Sequence, residues 1–91
     1  MEIKFTSHFL HKLEDLMSET DYIVRYEKGN FKSGYCILNN DKVAVVNKFF
    51  ALEGKISSLI EIIRSIEIDT AKLSENNQKL YHSLTQKQLE L

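Results

Sequence analysis

The chain has no proline, no tryptophan, three glycines and one cysteine. Without proline no loop is stiffened by a fixed φ, so loops are stiffened by little except packing. The lone Cys36 can neither close an internal disulfide nor supply a thiolate cluster for a structural metal. Long apolar runs are also missing. The stretch at 43–46 is only a few residues, against about 20 for a membrane-spanning helix, so no membrane partner is expected. Net charge is nearly absent too. Twelve Lys and Arg stand against thirteen Asp and Glu, a formal −1, which leaves no whole-molecule field to draw in a phosphate backbone or an anionic bilayer.

What is present is an ordinary globular balance, 43% hydrophobic and 27% charged over 91 residues. It excludes a disordered tail, a collagen-like repeat and a low-complexity linker, and the length suits one domain over residues 1–91. The opening Met1, Glu2, Ile3 and Lys4 lack the basic and long apolar regions of a secretory signal, so an unprocessed start and a cytoplasmic location are expected. A domain of this length buries about 60–65% of the surface of its unfolded chain, for a stability of roughly 5–14 kcal/mol. That thin margin favours a partner subunit, and a homodimer or a protein partner is expected.

Residues 7–19 read as a helix. Phe9, Leu10, Leu13, Leu16 and Met17 form one apolar stripe, with Thr6 or Ser7 as its N-cap. Three strands follow, at 22–26, 33–38 and 42–47, separated by the turn-forming Gly29 and Asn30 and by Asn39, Asn40 and Asp41. Short polar connections predict an antiparallel meander. The helical period returns over 52–67, with Leu52, Ile56, Leu59, Ile60, Ile63 and Ile66 on one side. Ile62 widens that stripe, so this helix should be central and gripped by both the sheet and another helix. Asp69 or Ser74 can cap a third helix carrying Leu73, Leu80, Tyr81 and Leu84, and residues 85–91 are expected to fray. The result is an α+β domain of order α-β-β-β-α-α, a three-stranded antiparallel sheet with its helices packed on one face.

Two constellations carry chemistry-bearing residue types. His8, His11 and Asp15 fall within roughly 60° of one another on the first helix and are candidate zinc ligands, against the plain reading of a solvated helix face. Arg25, Tyr26, Lys28, Phe31, Lys32 and Tyr35 interleave basic and aromatic residues across the first two strands, a pattern suited to stacking bases and pairing phosphates. Charge is segregated in the same sense. Residues 22–55 carry six basic and three acidic groups, and residues 1–21 carry two and five. The ribonucleoprotein signature is not met, because Asn30 stands where an aromatic should follow Lys28 and Gly29. Cys36 lies mid-strand without a local base, and Glu61 with Arg64 suits a surface ion pair.

Lys42, Val43, Ala44, Val45, Val46 and Asn47, followed by a short loop and an amphipathic helix, resemble the core of small zinc metallopeptidases related to phage-repressor-cleaving enzymes. In that family a strand ending in asparagine precedes a helix bearing H-E-x-x-H. Placing Glu61 on the family glutamate sets Ile60 and Arg64 where the two histidines belong, so the resemblance implies a degenerate relative without a zinc site there. The run Arg-Tyr-Glu-Lys-Gly-Asn-Phe-Lys-Ser-Gly-Tyr at 25–35, with Val45, Val46, Asn47 and Lys48, is also similar to a small uncharacterised bacterial protein family, which implies no activity.

No complete catalytic set is present, and neither an enzyme nor a cofactor is expected. The leading expectation is a non-enzymatic domain that works by protein association, through Phe49, Phe50 and Ile62. The adjacent phenylalanines cannot both easily point inward, and the wide apolar helix needs cover. The alternatives are a nucleic-acid-binding module using the basic and aromatic strands, and a metal-dependent hydrolase combining the first-helix histidines with Glu61.

Overall fold

Thr6 is extended and its hydroxyl accepts from the Phe9 N–H at 3.1 Å, which satisfies one of the free amides that open a helix. From this cap α1 runs over Ser7–Ser18 and buries Phe9, Leu13, Leu16 and Met17. The computed structural model describes residues 3–38 and 40–85, with the backbone alone at Cys36 and Leu38. After α1 come β1 (Tyr22–Glu27), β2 (Gly34–Leu38), β3 (Asp41–Asn47), α2 (Leu52–Ser65), one turn of 3-10 helix (Thr70–Lys72) and α3 (Glu75–Thr85). This is the α+β order expected from the sequence. The expected fraying beyond Thr85 falls on residues outside those described.

The strand order is the correction. β3 sits between β1 and β2, pairing parallel with β1 and antiparallel with β2, so the sheet is mixed and not an antiparallel meander. Only the β2–β3 connection is tight: Leu38 pairs with Asp41, and Asn40 takes a left-handed φ of 71°, a conformation that asparagine tolerates better than most side chains. The connection between β1 and β2, residues 28–33, instead crosses the end of β3.

Asn47 holds that crossing in place. Its Nδ2 donates to the carbonyls of Gly29 at 2.9 Å and Phe31 at 2.8 Å. Its backbone N–H donates to the Ser33 hydroxyl at 3.1 Å, and its Oδ1 accepts from the Phe49 N–H at 2.9 Å. The residue is 4% exposed, so these bonds replace water in satisfying the loop. Lys48 N–H donates to the Glu27 carbonyl at 2.8 Å and extends the parallel ladder past Asn47. Gly29 fits under the same loop because a Cβ there would stand 2.7 Å from the Phe31 ring.

Ala44 and Val46 face the helices and are fully buried, with Tyr22, Val24 and Tyr26 of β1 packed beside them. α1 and α2 lie on that face, and α3 packs on α1 and α2. α2 is central as expected, burying Ile56, Leu59, Ile60, Ile62 and Ile63 between the sheet and both other helices. Its polar side is less uniform than the period suggests. Ser58 is buried and returns its hydroxyl to the Gly54 carbonyl at 2.7 Å. No helix among the described residues is long and apolar enough to cross a membrane.

Replacing Asn47 with alanine removes the partner of the half-buried Gly29 and Phe31 carbonyls and should cost about 2–4 kcal/mol, read as a lower urea midpoint at unchanged slope. Asn47→Asp should do no better, since a carboxylate would face two carbonyl oxygens. Asn30→Ala, at an exposed position of the same loop, should stay within about 0.5 kcal/mol of wild type.

Candidate functional site

His8, His11 and Asp15 project from one side of α1, as helical spacing requires, and line a groove of about 600 Å³ against α3. Lys12 joins them from α1, and α3 contributes Asn76, Asn77, Lys79, Leu80 and Ser83. Among the described residues, no three His, Cys, Asp or Glu side chains gather as a metal-binding group. Nor does any hydrogen bond or ion pair join His8 or His11 to Asp15, so neither imidazole has an orienting carboxylate of the kind a catalytic base needs. His82 is exposed and lies against Tyr81. Glu61, the base of the hydrolase alternative, borders a separate cleft with Ile3, Phe5, Ser57, Ile60 and Arg64.

The acidic groups at this end of α1 work on α3. Asn77 is 5% exposed, and its Nδ2 donates to Asp15 Oδ2 at 3.0 Å and to Glu19 Oε1 at 2.7 Å. Glu19 also accepts the Ser74 N–H at 2.9 Å, at the amide-rich start of α3 where a negative charge is favoured. The Asn77 amide and the Ser74 N–H together hold the Glu19 carboxyl below the usual glutamate range. Asp15 is thus occupied as a strut between helices.

The six basic and aromatic candidates do not form one surface, because β3 lies between β1 and β2. Alternation along β1 puts Arg25 on the open face, in an ion pair with Glu27 at 2.9 Å, and turns Tyr26 toward the helices. The Tyr26 hydroxyl donates to Glu14, and burial with that carboxylate beside it pushes the phenol well above its usual range. Lys28 and Lys32 are exposed in the crossing loop, Phe31 in the same loop is half-buried, and Tyr35 is exposed on β2 with its ring nearly perpendicular to that of Tyr22.

The three association candidates part company. Phe49 is 69% exposed, while Phe50 is half-buried over the first turn of α2, where a Cβ on Gly54 would lie 3.1 Å from it. Ile62 is only 3% exposed, because α2 is covered by this chain's own helices and sheet. It therefore has no surface to offer, which corrects its place in the expected interface. At the positions singled out by the metallopeptidase resemblance, Ile60 is buried and Glu61 is exposed. Arg64 forms no ion pair with Glu61, and its Nε donates to the Leu84 carbonyl at 2.6 Å, at the negative end of α3.

Sequence reasoning missed the outer edge of the sheet. The odd-numbered residues of β3 face β2, as Asn47 N–H shows by reaching Ser33, and the even-numbered ones face β1, as Lys48 N–H shows by reaching Glu27. By register, Gly34, Cys36 and Leu38 bond to β3, and Tyr35 and Ile37 aim their backbone N–H and C=O groups away from the sheet. Both side chains are exposed, at 49% and 67%. The signal available in the sequence was the lack of any charge in Gly34–Leu38, which in a meander reads only as a buried middle strand.

Protonation of Glu19 should release the start of α3. Because its carboxyl is lowered in the folded state, its contribution is complete above the ordinary glutamate pKa of about 4.3 and is lost as the pH falls through the lowered value. Glu19→Gln should therefore reduce stability near neutrality and flatten the acid limb of a urea-unfolding profile. In Asn77→Ala, NMR titration should show Glu19 moving back toward the usual range.

No protein-family model, curated protein or solved structure matches this chain.

Proposed function

We propose that this protein is a non-enzymatic association domain that binds protein through its sheet, at the apolar side chains that its own helices leave exposed. The observation that carries the reading is where large apolar side chains remain exposed. Ile23 at 52%, Tyr35 at 49%, Ile37 at 67% and Phe49 at 69% lie on the sheet or in the turn directly after it, while Ile3 at 37% and Phe5 at 47% lie apart from them, ahead of α1. A set of this kind on a small domain is the usual mark of an interaction surface. The polar groups of the α1–α3 groove support no comparable chemistry. Asp15 is tied to Asn77, and among the described residues neither imidazole is bonded to a carboxylate.

The second strand adds a reason specific to this sheet. β1 carries Arg25 and Glu27, charges that discourage another strand from pairing on that edge, whereas β2 carries none. Its backbone edge is therefore the available one.

Light scattering across a dilution series tests the reading. The mass should rise above 10.6 kDa with concentration, and a mass fixed at 10.6 kDa throughout would contradict it.

A further inference from the structure

We infer that the partner is a second copy of this chain, joined antiparallel along β2 about a two-fold axis at Cys36, so that the two sheets fuse into one of twice the width. The inference rests on the association reading and specifies its surface.

Three observations select this arrangement. The first is register. Tyr35 and Ile37 hold the outward-facing backbone groups of β2, and Cys36 is the residue between them. Antiparallel pairing centred on Cys36 sets Tyr35 opposite the partner's Ile37, and Ile37 opposite the partner's Tyr35. Every outward N–H and C=O within the strand then finds an acceptor or donor. A shift of the centre to Tyr35 or to Ile37 moves one of these bonding pairs beyond the strand's ends.

The second is the side chains that would meet. Tyr35 and Ile37 both lie on the helix side of the sheet, by their register with Ala44 and Lys42, and both are exposed. Pairing them gives an aromatic–aliphatic cross-strand contact on each side of the axis, a favourable combination in antiparallel ladders.

The third is charge. Lys32 is exposed just before β2, and Asp41, exposed at the start of β3, pairs with Leu38 one strand spacing of about 4.8 Å behind it. Lys42, the other charge at that end, lies over the Tyr22 ring on the β1 side, 5.8 Å from its centroid. Antiparallel pairing brings Lys32 of each copy beside the turn that carries Asp41 of the other. A parallel pairing would place like charges together and could not close as a symmetric dimer. A contact of five residues per strand is short, so the dimer is expected to be weak and concentration-dependent.

Ile37→Lys, at an exposed position, should return the light-scattering mass to 10.6 kDa while the far-ultraviolet circular dichroism stays that of the wild type. A dimeric mass that survives Ile37→Lys overturns edge pairing and leaves association standing. A monomeric mass at every concentration overturns both.

Discussion

Asn47 uses its amide as a length of backbone. It donates to two carbonyls of the loop leaving β1, accepts from the Phe49 N–H, and has its own N–H taken by Ser33 as the chain enters β2. A chain without proline has few other means of fixing a six-residue crossing, and here one buried side chain does it. With the loop held across the end of β3, β1 and β2 cannot be neighbours. β3 becomes the middle strand and β2 becomes an edge. The parallel β1–β3 ladder, the position of the exposed tyrosine and isoleucine, and the orientation of the free backbone groups all follow from that crossing.

The helices were legible because a period of 3.6 residues can be checked over a dozen positions. α1 and α2 bury nearly the side chains their stripes name, and Thr6 caps α1 as its place in the sequence suggests. Strand order was not legible, because alternation identifies a strand without identifying its neighbour. The clue lay in composition. Val43, Ala44, Val45 and Val46 form an unbroken apolar run, which suits a strand with others on both sides and cover on at least one face. Gly34–Leu38 is equally free of charge for a different reason, as an edge that nothing among the described residues blunts.

The candidate site divides in the same way. Spacing on one helix correctly put His8, His11 and Asp15 on one side of α1. It could not show that α3 would face them, or that Asn77 would occupy Asp15. The basic and aromatic set failed for a topological reason, since it assumed that β1 and β2 were a hairpin. Phe49 and Phe50 separated as two adjacent residues after a strand should, one over α2 and one outward. Ile62 widens the α2 stripe, and the chain's own elements grip that helix on more than one side as its width suggests, which leaves Ile62 no place in an interface.

A loop clamp that builds the sheet thus also leaves β2 as its open edge, and amide hydrogen exchange reads both effects in one strand. Cys36 and Leu38, bonded to β3, should exchange slowly at every protein concentration. Tyr35 and Ile37 should exchange fast in dilute protein and slow markedly when it is concentrated. Tyr35 and Ile37 amides indifferent to concentration, or no alternation between the two sets in dilute protein, would contradict the account.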